Sequence, residues 1–229
     1  MDGFLMLLRW LHFLFGITWI GLLYYFNFVQ TAFFAETEPA VRSGAQQKLL
    51  PRALWWFRWG AMGTVLFGLI YLIIQWNRLG FTFNPWAVAI LTGGTLGIIM
   101  WANVWFVIWP NQKIIIANAV ATAGGSPANP SAAPAGRRAS IASRTNVMFS
   151  IPMLFFMGAA SHYPLFGEAT TGGICGWIII DGIIITLLEI NALVGSTGTA
   201  KKPLDSVSGV ITSGFVLWAI LTVVIFAVL

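Results

Sequence analysis

The chain has 229 residues, 58% hydrophobic and 8% charged, with twelve Lys/Arg against seven Asp/Glu and a net charge of +5. A soluble domain carries about 25% charged residues, so these few charges exclude a water-soluble enzyme, and their scatter between long apolar runs points to lipid rather than nucleic acid. The single cysteine, Cys175, excludes an internal disulfide, a CxxCH haem attachment and an all-cysteine metal site.

Six apolar stretches are each long enough for a bilayer, which needs about 20 residues of helix. In chain order they predict transmembrane helices over roughly 4–33, 54–76, 86–109, 145–163, 171–194 and 207–228. The runs are solidly apolar rather than alternating, which favours helices over a membrane barrel. The expected fold is an all-α integral membrane protein, a bundle of about six transmembrane helices forming one domain over 1–229. The first span starts with Asp2 and far exceeds a signal core, so it reads as a retained helix. Between the third and fourth spans, residues 124–136 (GGSPANPSAAPAG) read as a flexible loop. Asn111 to Ala123, just before it, either continues the third helix past Pro110 or forms a short surface helix.

The loops after helices 1, 3 and 5 carry ten Lys/Arg, and the opposite side carries only Arg9 and Arg78. Lys and Arg favour the cytoplasmic side, so both termini are expected outside the cytoplasm. Glycines cluster at 60, 63 and 68 on the second helix and at 93, 94 and 97 on the third. Such small residues let helices approach closely in lipid.

Polar groups inside the bilayer mark candidate sites. His12 and His162, the two histidines of the chain, fall at similar depth near the external face. Two facing imidazoles could ligate the iron of a b-type haem, with Gly16 leaving room for the macrocycle. The plainer reading is an interfacial histidine bonded to a carbonyl. Asp181 lies near mid-membrane in the fifth helix, and Glu189 lies eight residues on. Arg58 and Asn103 fall at a depth comparable to Glu189. The four suggest either a proton path or a structural polar network. Trp101, Trp105 and Trp109 recur every four residues, as a stripe for helix packing or for a flat ligand.

Two strings are distinctive: RWLHFLFGITWIGLLYYFNFVQ at 9–30 and TGGTLGIIMWANVWFVIWPNQK at 92–113. Together they resemble the membrane domain of the bacterial membrane-bound urate oxidases of the PuuD type. The resemblance implies urate oxidation with electrons passed to cytochrome c in a bacterial inner membrane, where the Lys/Arg count predicts both termini on the periplasmic side. In that family a cytochrome c domain follows the membrane domain. No CxxCH occurs in this chain, so a separate cytochrome c is the expected acceptor. The alternative is a non-catalytic accessory subunit of a larger respiratory or photosynthetic membrane complex. A transporter ranks last, for lack of internal repeats.

Overall fold

The computed structural model describes residues 2–229. Six long helices account for most of them, and no strand occurs among the described residues. We number them α1 (Asp2–Glu36), α2 (Pro39–Arg78), α3 (Pro85–Ala123), α4 (Ala132–His162), α5 (Thr171–Leu193) and α6 (Val207–Val228). A short 3₁₀ turn, Thr199–Asp205, joins the last two. The protein is an all-α membrane protein. All but α4 pass as spans on length and hydropathy alone. α4 is less apolar because its buried face uses Thr145, Asn146 and Ser150.

Several helices run past the apolar spans that announced them. α2 begins at Pro39 rather than near 54, and α4 begins at Ala132 rather than near 145. The added segments, PAVRSGAQQKLLPRA and AAPAGRRASIAS, are charged or small but rich in Ala, Leu, Gln and Arg. Those residues favour helix whether or not they are apolar, and the charges and small residues between them end the apolar run without ending the helix. Pro110 does not end α3, which continues to Ala123. The Gly/Pro-rich connection is thereby reduced to 124–131. It is tied back on α3, where the Asn118 side-chain carbonyl accepts from the Asn129 amide at 2.7 Å.

The chain divides into two compact units. The first comprises Met1–Gly68 and Trp101–Arg144, and the second Leu69–Met100 and Thr145–Leu229. The first unit holds α1, most of α2, the second half of α3 and the start of α4. Two π-helical turns interrupt its helices, at Tyr25–Gln30 in α1 and Asn103–Ile108 in α3. Each shows the i→i+5 pairing of a π turn, with Thr31 N–H reaching Phe26 and Trp109 N–H reaching Val104. The second turn lies just ahead of Pro110, which lacks an N–H and crowds the preceding turn. Widening the helix there relieves the crowding. The Asn111 side chain covers the Val107 carbonyl at 2.7 Å.

Glycines set the closest approach of α1 and α2. A Cβ on Gly60 would lie 3.1 Å from the Trp19 amide, and one on Gly63 would enter the Phe15 ring. The small-residue patch read from the sequence is this seam.

The second unit holds the end of α2, the start of α3, most of α4, and α5 and α6. Side-chain caps start three of its helices: Asn84, Thr170 and Ser206 each accept from a backbone N–H three residues on, at 3.0 Å. A tight turn after α2 places Gly80 and Phe81 at positive φ. The Phe81 amide reaches back to the Trp76 carbonyl at 3.0 Å, and its ring packs on the Trp76 indole. Gly93 faces the Met153 carbonyl, and Gly214 faces the Met148 carbonyl at 3.0 Å and the Ile151 side chain. Gly94, grouped with Gly93 in the sequence, faces open space.

Candidate functional site

His12 is half-buried on α1. Its Nδ1 lies 2.8 Å from the Thr64 carbonyl on α2, so Nδ1 carries the proton and donates. Gly68 provides the slot for the ring, since a Cβ there would come within 2.7 Å of Nδ1. Fixing Nδ1–H leaves Nε2 as the free lone pair. A metal-ligating histidine is oriented in the same way, by a carbonyl that accepts from its other ring N–H. The carbonyl-bonded histidine foreseen as the plainer reading is therefore present, and it leaves one ligating nitrogen to spare. Gly16 is not the floor of an open space: a Cβ there would sit 3.8 Å from Thr64 Cγ2. His162 ends α4 in the second unit and is exposed. No group of three or more His, Cys, Asp or Glu that could hold a metal ion occurs among the described residues.

Arg58 lies in the first unit, whereas Glu189, which the sequence set at a comparable depth, belongs to the second. Its guanidinium sits 3.5 Å from the Trp109 ring centroid and 5.5 Å from that of Trp105. Its Nε donates to the Leu54 carbonyl at 3.2 Å. Arginine over an indole face is the stronger form of cation–π contact. Trp105 and Trp109 are four residues apart on α3, so both lie on one helix face and meet the same guanidinium. Trp101, one step earlier, instead packs edge-on against Phe106. Asn103, the first residue of the π turn, is buried.

Asp181 lies in the second unit and is 5% exposed. Its partner is Trp177, whose indole N–H donates to Oδ2 at 2.8 Å. Trp177 escaped sequence reading, although its spacing of four places it on the same helix face. The other carboxylate oxygen, Oδ1, is buried without a hydrogen bond. Glu189 follows on the same helix and is half-buried. Lys201 is buried too, and its ammonium donates to the Asn191 carbonyl in the last turn of α5. A cation there meets both the unpaired carbonyls and the negative end of the helix dipole.

A cavity of about 160 Å³ opens in the first unit among α1, α2, α3 and α4. Phe26, Asn27 and Gln30 from the first π turn line it, with Gln112 from α3 and Ser140 and Ser143 from α4. The Asn27 side-chain amide donates both to the Leu23 carbonyl and to Ser143 Oγ, each at 2.8 Å. No charged side chain lines the cavity. Sequence reading missed this site because its residues are spread from position 26 to 143.

Compared with known protein families, residues 77–225 match the model described as Urate oxidase N-terminal. The match contains the second distinctive string, 92–113, and runs from the end of α2 through most of α6; the first string, 9–30, lies outside it. No curated protein and no solved structure matches the chain.

Proposed function

Because the chain belongs to the urate oxidase N-terminal family, we propose that it is the membrane part of a urate-oxidising system that hands electrons to a cytochrome c. The match over residues 77–225 carries this reading. Support from geometry comes from His12, whose Nδ1–H is held by Thr64 while Nε2 stays free. In this reading His12 would hold the iron of a haem b through its free Nε2. When bound, haem b supplies one-electron acceptance. The chain's own part is to orient the His12 ring through the Thr64 carbonyl and the Gly68 slot. The Lys/Arg count supports an inner-membrane location with both termini periplasmic, where a soluble cytochrome c is accessible.

The test is urate-dependent reduction of added cytochrome c by the purified chain, with an optical spectrum of the same sample. Turnover with a Soret band that His12→Ala removes, in a protein still folded, is the expected result. A haem-free preparation without turnover overturns it. A second reading, an accessory subunit of a larger membrane complex, draws on α5, whose apolar window is 17% buried against 56% for α3. Co-purification with larger subunits in fixed stoichiometry would favour that reading.

A further inference from the structure

The cavity of the first unit contains two amide oxygens that nothing in the protein satisfies. Gln30 is 8% exposed, and its Oε1 is buried without a hydrogen bond. Gln112 Oε1 is likewise buried and unpartnered. Both residues line the same cavity, one from α1 and one from α3. A buried acceptor left without a donor costs about 1–3 kcal/mol, so two in one cavity call for a ligand with hydrogen-bond donors. Both lie on or just beyond a π turn, and π turns are frequent at functional sites.

The rest of the lining narrows the ligand. Asn27 is already held by Leu23 and Ser143, so its side chain is a fixed wall. Phe26 and Phe57 meet edge to face, with ring centroids 5.3 Å apart, and present aromatic surface to the cavity. No Lys, Arg, Asp or Glu contributes to the lining, so the ligand is recognised as an uncharged or charge-delocalised group. One water needs about 15 Å³ of such space. The cavity therefore takes on the order of ten waters or one small ring system, and not a drug-sized molecule.

We propose that the cavity bounded by Gln30, Gln112, Asn27, Ser140 and Phe26 binds a small planar cyclic ureide, with ring N–H groups donating to the Gln30 and Gln112 amide oxygens. The assignment rests on the urate-oxidising reading above and gives that reading a substrate-binding site. A quinone head group offers only acceptors, so it would leave both glutamine oxygens unsatisfied.

The test uses the purified full chain in detergent, with xanthine and its fully N-methylated analogue caffeine as probes in equilibrium dialysis. Xanthine keeps its ring N–H donors; caffeine has none. Saturable xanthine binding, with caffeine weaker by about ten-fold or more, is expected. Gln30→Met and Gln112→Met remove the acceptors at near-constant volume, and each should weaken xanthine about ten-fold without lowering the melting temperature. Ser140→Leu, which fills the cavity instead, should abolish binding. Equal binding of the two probes, no saturable xanthine binding, or folded variants that bind like the wild type overturns the site. Urate-dependent cytochrome c reduction on the same samples separates the two ideas. Turnover that persists with unchanged KM in both Met variants puts the urate site elsewhere and leaves the function standing. Xanthine binding that the variants lose, in a protein without turnover, retains the site and removes the function.

Discussion

The two units divide the chain's chemistry unevenly. The first carries nine Lys/Arg against three Asp/Glu, a net charge of +6, and the second carries three against four, a net charge of −1. Both π turns and the glutamine-lined cavity belong to the first. The second keeps regular α-helices with capped starts, and its one buried carboxylate is held within its own helix. Regular hydrogen bonding favours rigidity in lipid, where every backbone group needs a partner. A broken ladder is tolerated where side chains such as Asn27 and Asn111 cover the freed carbonyls. The irregular unit is therefore the one with space and polarity to receive a ligand.

The largest expected effect tests whether the units are independent. Gly63→Leu drives a side chain into Phe15, and Gly214→Leu drives one into Ile151 and the Met148 carbonyl. Overpacking of this kind costs about 3 kcal/mol. Hydrogen exchange should rise mainly within 2–68 and 101–144 for the first variant and within 69–100 and 145–229 for the second. Exchange rising across both units in either variant breaks the comparison. Gly94→Ala, which meets nothing, is the control and should leave exchange unchanged or lower it.

Next in size is Asp181→Leu, which leaves the Trp177 indole N–H without its acceptor. A loss of about 1–3 kcal/mol is expected from thermal melts in detergent. Trp177→Phe in the same chain should restore part of it, because both partners are then apolar. If the double variant is no better than the single, Asp181 is held by something other than Trp177.

The helix seams were legible in the sequence. Gly60, Gly63 and Gly93 announced close helix approach, and Asp181 announced the need for a partner. Helix ends were not, because apolarity stops at the first charge while helix propensity in segments such as 39–53 does not. Neither were the π turns, since YFNFVQ and NVWFVI carry no composition that separates a π turn from an α turn. The cavity was invisible for a related reason: Gln30, Gln112 and Ser143 meet only after four helices have packed.

Smaller effects sharpen the contrast further. Thr170→Ala and Ser206→Ala each remove a cap in the regular unit and should lower stability by about 1 kcal/mol. Arg58→Lys replaces a flat guanidinium over Trp109 by a point charge and should cost about 0.5–1 kcal/mol. A melt unchanged by Arg58→Lys would mean that the two indoles do not use the cation for stability.

The π turn at Asn103–Ile108 acts as a phase shifter. Everything after it on α3, including Trp109, Gln112 and Lys113, owes its facing direction to the wider turn and not to its own identity. Closing the turn to i→i+4 pairing without shortening the chain would swing that whole stretch by about 100°. Gln112 would leave the cavity and Trp109 would leave Arg58, with neither side chain altered. What α3 contributes to the polar site is therefore encoded in the backbone pairing at that point, and not only in the side chains that reach the site.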